Sequence, residues 1–282
     1  MTDQLTAQKE HSDQALQVRL GRIPREPRQV VKYTFFALDP AWRRLPFEER
    51  EAAKAEFARV IVESVPEFFV LRSYSLIGMH HDTDFMLWSV SDTLERQSAL
   101  LARIHATALG AWLRISYSYL AMTRHSPYVR DHVHEGQEGT QLTILPDGKK
   151  YLFVYPLDKK REWYSEPFET RNTVMREHIK IGHRYPTVKI NTTYSFGLDD
   201  QEFVVAFESD YAEDFLDLVE ELRGSVSSSF TARDVPIFTC IAMDIRAVLD
   251  ALGGVGESSV VGRQSVGESS VVGRQSSVVG RR

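Results

Sequence analysis

The sequence predicts an α+β protein in which two β-α-β-β-α-β units pair into one closed, dimeric α+β barrel. Two observations carry that expectation. Runs rich in β-branched and aromatic residues alternate with runs whose apolar residues recur at helical spacing. The same order of elements then appears twice along the chain, which is the arrangement of a ferredoxin-like unit. A four-stranded sheet of that kind has open edges, and joining two such sheets covers them.

Residues 1–28 show no hydrophobic period and are expected to form a flexible segment. The first unit spans 29–122. Its opening run "RQVVKYTFFALD" reads as a strand, and "PFEEREAAKAEFARVIVESV" starts on proline and acids before repeating apolar residues at helical spacing. "EFFVLRSYSLIG" and "TDFMLWSVS" are two strands joined as a hairpin by "MHHD". "SDTLERQSALLARIHATALGAW" is a helix with a Ser-Asp cap and with Leu94, Leu100, Leu101 and Ile104 on one side, followed by the strand "LRISYSYLAMT".

A connecting segment, 123–148, carries His125, His132 and His134 and is expected to loop over a site. The second unit spans 149–252: strand "KKYLFVYPLD", a helix over about 166–183, strand "TVKINTTYSFG", turn "LDD", strand "QEFVVAFES", helix "YAEDFLDLVEELRG" and strand "PIFTCIAM". Residues 253–282 repeat "GESSVVGRQS" and hold too few large apolar groups to offset the entropy of ordering, so a disordered tail is expected.

The composition, 43% hydrophobic and 26% charged over 282 residues, suits a globular protein able to bury a sizeable core. A net charge of -5 without a basic stripe argues against nucleic acid as a partner. One cysteine, Cys240, excludes an internal disulfide and any multi-cysteine metal centre. No run reaches the roughly 20 apolar residues of a membrane span, and no leader pattern opens the chain, so a cytoplasmic protein is expected.

Chemistry concentrates in "VYPLDKKREWYSEPFETRNTVMREH", residues 154–178. None of the nine histidines has the spacing of a paired metal motif, and a closed tetrahedral zinc site is not expected. A single axial histidine on an iron porphyrin needs no protein partner ligand, because the macrocycle supplies four. His178 suits that role, late in a helix beside Val174 and Met175, with Gly182 one turn on leaving open space by the ring. Tyr155, held extended by Pro156, is expected to point into the barrel. Lys159, Lys160 and Arg161 beside it suit carboxylates. Against these stand plainer readings: a structural histidine and a solvated basic turn.

The motifs "YPLDKKREWY", "MREHIKIGHRY" and "FGLDDQEFVVAFE" resemble those of the chlorite dismutase-like superfamily, in particular its coproheme decarboxylases of the actinobacterial type. The resemblance covers roughly residues 30–245 and implies the paired barrel, usually a homopentamer, with haem in the C-terminal half. It implies His178 as the iron ligand, Tyr155, 23 residues earlier, as a redox-active tyrosine, and Lys159 as a propionate contact. In "SPYVRDHVH" it implies Arg130 as a second propionate contact and His132 as the distal base, with His125 and His134 close by in sequence. Chlorite dismutases carry a distal arginine in the strand before the "GLDD" turn; Ile190 stands there.

The resemblance therefore implies hydrogen peroxide-dependent decarboxylation of two propionates of Fe-coproporphyrin III to give haem b, through a tyrosyl radical. It also implies transient contact with the ferrochelatase that supplies coproheme. A chlorite dismutase-like haem peroxidase and a non-enzymatic haem carrier or sensor are the alternatives. In the family pattern a carboxylate that would hold the axial histidine lies where this chain reads "GSVSSSF", so the partner of His178 is left open.

Overall fold

The computed structural model describes residues 27–128 and 143–253. Residues 1–26, the repeated tail from residue 254, and the part of the connecting segment that holds Arg130, His132 and His134 lie outside the described residues.

Strands β1 (Val30–Leu38), β2 (Val70–Ser75), β3 (Phe85–Ser91) and β4 (Leu113–Met122) form the first unit with helices α1 (Phe47–Ser64) and α2 (Leu94–His105). The second unit has β5 (Tyr151–Lys159), α3 (Arg161–Ser165), α4 (Phe168–Gly182), β6 (Lys189–Tyr194), β7 (Phe203–Ser209), α5 (Ala212–Arg223), α6 (Val226–Ser229), β8 (Thr231–Arg233), β9 (Phe238–Ala242) and α7 (Ile245–Ala251). Strand order is β7-β6-β4-β1-β3-β2-β9-β5-β8, and an additional β5–β7 pairing closes the ring. The two units meet at two seams, where Tyr74 pairs with Ala242 and Met122 pairs with Tyr194. The paired α+β barrel expected from the repeated element order is thus the fold.

Alternation along the strands sorts the apolar residues into three layers. Phe35, Trp88, Val154, Ala206 and Phe238 fill the barrel interior. On its outer face, Phe36, Phe85 and Leu87 pack against α1, α2 and α7. Phe153, Tyr155, Val205 and Phe207 pack outward against α4 and α5. Helix α7 comes from the end of the second unit yet buries Val248 and Leu249 on the first unit's helices.

Local details depart from the sequence reading. The cap of α2 is Thr93, whose hydroxyl accepts from the Arg96 N–H at 3.3 Å, while Ser91 Oγ donates to the Thr93 carbonyl. Leu100 and Ile104 are buried as expected, but Leu94, at the first turn, is exposed. Helices α3, α6 and α7 and the three-residue β8 are too short for periodicity to register.

The "GLDD" turn is a latch between the units. Asp199 Oδ2 accepts from the Leu120 N–H of β4 at 2.7 Å and from Gln201 Nε2 at 3.1 Å, and Ser195 Oγ donates to the Leu120 carbonyl at 2.8 Å. Gly197 sits at φ +71°, where a side chain would be strained. Asp199→Ala leaves the Leu120 N–H without its acceptor, and a loss of about 1–3 kcal/mol is expected in urea unfolding. An unchanged midpoint would show that water replaces the carboxylate.

Candidate functional site

The candidate site lies between the outer face of the second unit's sheet and helix α4. β5 alternates, so Leu152 and Val154 face one side while Phe153 and Tyr155 face the other. Tyr155 therefore points away from the barrel interior and into the sheet–helix layer, contrary to the sequence expectation; the interior is taken by the even-numbered neighbours. Its ring stacks on Phe207 at 5.8 Å and 18°. Burial, with Asp234 nearby, holds its hydroxyl well above the usual tyrosine range, so it stays protonated at physiological pH.

His178 is on α4, one turn from the buried Ile181 and from Val174. Burial first, and the Lys159 cation second, push its pKa down to about 4, so the imidazole is neutral at pH 7. Its Nδ1 is buried without a hydrogen-bond partner among the described residues. The "GSVSSSF" stretch, now α6, brings no carboxylate to it. A neutral ring offers a lone pair, and one protein nitrogen is enough where a porphyrin supplies the other four ligands.

Of the basic run, only Lys159 turns inward. Its ammonium donates to the Ser227 carbonyl at 3.0 Å, with Ser227 Oγ at 3.4 Å and Thr231 Oγ1 at 3.5 Å, and lies 5.3 Å from the centre of the Trp163 ring. Burial pushes its pKa down to about 8, opposed by Asp234 and Glu202. Three acceptors of the chain thus surround the three donors of Lys159. Lys160 and Arg161 are exposed, and Arg161 reaches Glu202 only at 3.4 Å.

Glu202 organises this turn and was not singled out by the sequence. It accepts from the Lys159 N–H at 2.8 Å and from Tyr164 Oη at 2.5 Å, while its own N–H donates to Asp158 at 2.8 Å. Asp158 in turn holds Arg233 of β8 at 2.7 Å. The "YPLDKKREWY" and "FGLDDQEF" motifs therefore interlock through hydrogen bonds of long sequence separation, which no local pattern announces. Asp234, paired with Arg223 at 2.6 Å, acts electrostatically on both Tyr155 and Lys159, and Lys159 acts on His178. The four groups share one neighbourhood.

Two further sequence readings meet the geometry here. Ile190 faces the sheet–helix layer, and a Cβ on Gly182 would lie 3.6 Å from Ile190 Cδ1, so Ile190 fills the space that Gly182 was expected to leave open. No cation occupies that strand position. Tyr128 stacks on Phe168 at 5.9 Å and accepts from Arg171 at 3.1 Å, docking the connecting segment on the start of α4 two residues before Arg130. Arg130 and His132, the expected propionate contact and distal base, are outside the described residues.

The depressed pKa of His178 has a consequence for the apoprotein. The unfolded chain takes up a proton below about pH 6.5, while the folded chain resists until about pH 4. The stability contributed by the neutral ring is complete above pH 6.5 and is lost as pH falls. Between pH 7 and pH 5 the parent should lose about 2 kcal/mol more than His178→Leu in urea unfolding of apoprotein. Equal losses would mean the ring is solvated.

The chlorite dismutase family model matches residues 50–243. A coproheme decarboxylase of Mycolicibacterium smegmatis is 29% identical over 223 residues, 74% of this chain and 94% of that protein. The structure of chlorite dismutase from Candidatus Nitrospira defluvii in complex with imidazole superposes with a TM-score of 0.72 at 25% identity, covering 79% of this chain and 94% of that one. A structure described as a novel heme-binding protein from Thermus thermophilus superposes at 0.69 and 25% identity, with the same coverage. Among the described residues no helix is long and apolar enough to cross a membrane. The match over most of the chain, on a barrel that these solved structures share, makes the protein a member of the chlorite dismutase family.

Proposed function

We propose that the protein is a coproheme decarboxylase, a haem-dependent oxidoreductase that uses hydrogen peroxide to convert Fe-coproporphyrin III to haem b. The observation that carries this reading is the conjunction, on one sheet–helix layer, of a buried protonated Tyr155, a neutral His178 and an apolar Ile190, the position to which the resemblance assigns a chlorite dismutase's cation. The Mycolicibacterium relative, named for that reaction, supports it.

The iron porphyrin is both substrate and product, and when bound it supplies the oxidising equivalents drawn from peroxide. For each propionic acid the balance is one hydrogen peroxide consumed and one vinyl group, one carbon dioxide and two waters formed. His178 holds the iron through a neutral imidazole, and Lys159, anchored on Ser227, opposes its protonation. Arg130 and Lys159 are assigned to the propionates, Lys159 by exchanging one of its protein acceptors for a carboxylate. His132 is assigned the proton of incoming peroxide, a task suited to an imidazole at neutral pH.

Tyr155 is the hydrogen relay. Its hydroxyl keeps its proton at physiological pH, so oxidation removes a proton with the electron and leaves a neutral tyrosyl radical. That radical takes hydrogen from the β-carbon of the neighbouring propionate, which restores the tyrosine; the carbon radical gives its second electron to the oxidising equivalent remaining from peroxide and releases carbon dioxide as the vinyl group forms. With Nδ1 of His178 unpartnered among the described residues, the ligand is less basic than one backed by a carboxylate, and a weaker iron bond is expected. A cytoplasmic homopentamer receiving coproheme by transient contact with ferrochelatase completes the reading.

The test is mass spectrometry of pigment extracted after stepwise peroxide addition to the coproheme complex. Loss of two carboxyl groups through a monovinyl intermediate is expected. The chlorite dismutase structures that superpose on the chain favour a second reading, haem peroxidase chemistry on chlorite. Intact coproheme with oxygen evolved from chlorite would select that reading, and intact coproheme without it a carrier or sensor.

A further inference from the structure

Outside the sheet–helix layer of the second unit, His80, His81 and Asp82 come together on the β2–β3 hairpin. Their ligand atoms all lie within 4.8 Å of one another. His80 is wedged with 11% of its side chain exposed, against Phe238 at 4.7 Å and the edge of Tyr117 at 5.9 Å. His81 is stacked on it at 4.8 Å but is 85% exposed. Asp82 is held by the Tyr117 hydroxyl, which donates to Oδ2 at 2.7 Å.

Two atoms of this cluster have no partner but each other among the described residues. His80 Nδ1 and Asp82 Oδ1 are 2.7 Å apart, yet both are buried without a well-directed hydrogen bond to each other or to any other described residue. With no further partner for either, both atoms are open to a cation that takes the place of the proton between them. Two ligands of one cation at about 2.1 Å stand about 3.4 Å apart in a tetrahedral site. His80 Nδ1 and Asp82 Oδ1, at 2.7 Å, need to part by about 0.7 Å to admit one, and His81 Nε2 lies 3.9 Å from Asp82 Oδ2. His81 is the exposed ring of the cluster, so a turn of its side chain toward Asp82 meets solvent rather than packed atoms and can close the set.

The hairpin is built to hold such a set. Leu76 N–H donates to the Asp84 carbonyl at 2.8 Å, the Met79 and His80 N–H groups both donate to the Leu76 carbonyl, and Gly78 makes the turn at φ +76°. Asp84 Oδ2 accepts from the Leu38 N–H at 2.7 Å, tying the hairpin to β1.

We propose that His80, His81 and Asp82 form a binding site for a divalent transition cation of the zinc class, independent of the porphyrin site, with Tyr117 positioning the carboxylate. Two imidazoles and one carboxylate are a borderline-soft N,N,O set that suits zinc, copper or nickel and disfavours calcium and magnesium, which prefer oxygen. Three protein ligands leave an open position for water. This is a different arrangement from the closed four-ligand site that the histidine spacing argued against.

The test is a zinc(II) titration of the tag-free full chain loaded with coproheme, with cobalt(II) as the spectroscopic probe. One zinc equivalent is expected, with a visible cobalt d–d band and a rise in Tm on zinc addition. His81→Ala, at an exposed position, and Asp82→Asn, which keeps an acceptor for Tyr117, should each weaken binding at least about tenfold and lose the Tm rise. Their coproheme Soret bands should match the parent. Failure of the parent to bind zinc, or parent-like zinc affinity in both variants, would overturn the proposal, whatever the porphyrin activity proves to be.

Discussion

Tyr155→Phe is expected to bind coproheme within about threefold of the parent and to lose decarboxylation by at least about 100-fold, the scale on which a positioned proton-transferring group contributes. The aromatic ring packs between Phe207 and the α4 layer, and phenylalanine keeps that stacking. What disappears is one hydroxyl, whose proton the buried environment retains at all physiological pH. If the radical relay is correct, coproheme should persist through repeated peroxide additions or bleach without forming the monovinyl intermediate. Turnover near the parent's would remove Tyr155 from the chemistry and leave it a core residue. The placement of Tyr155 strengthens the case for the test: pointing outward, it shares its layer with α4, the helix that carries His178. Had it faced the barrel interior, the sheet backbone would have separated the two.

That reversal shows where sequence reading stops. Strand β5 was legible because "YLFVY" is dense in β-branched and aromatic residues, and the doubled element order was enough to foresee the barrel. Which face Tyr155 takes was not legible, since both faces of β5 are buried and the usual apolar–polar alternation is missing. His178 stood out by its place late in an amphipathic helix and by the motif around it. Its electrostatic setting did not, because Lys159 is brought near by β5 while Ser227 and Thr231 lie about seventy residues further along the chain.

The same limit applies to Glu202. In sequence it is an acid after a turn; in the structure it fixes the Lys159 backbone and the Tyr164 hydroxyl together. Its role follows from β5–β7 pairing, which puts Leu157 opposite Phe203 and so carries Glu202 to the "DKKR" turn. Register of this kind is a tertiary outcome. The Asp199 latch on Leu120 is likewise visible only once the two units are joined. By contrast, "HHD" lies on a hairpin, where the helical spacing of paired metal ligands does not apply.

His178→Ala should weaken coproheme binding at least about 100-fold and shift or abolish the ferric Soret band, since removing a direct ligand costs more than the 10–100-fold typical of its supporting contacts. The apoprotein should survive the change. His178 is flanked by Val174 and Ile181, which supply the buried apolar contacts of α4, and the substitution removes a buried nitrogen that has no partner to lose among the described residues. Exogenous imidazole provides a second readout that a merely structural role would not move: it should enter the vacated space and restore the band. His183→Ala is the control, because His183 sits at the C-terminal cap of the same helix and is the nearest rival. A parent-like Soret band in His178→Ala together with its loss in His183→Ala would transfer the iron to the helix cap. Loss in His178→Ala with imidazole rescue, and no change in His183→Ala, would fix the iron on the proximal face of α4, where the neutral ring at pH 7 offers its lone pair without first shedding a proton.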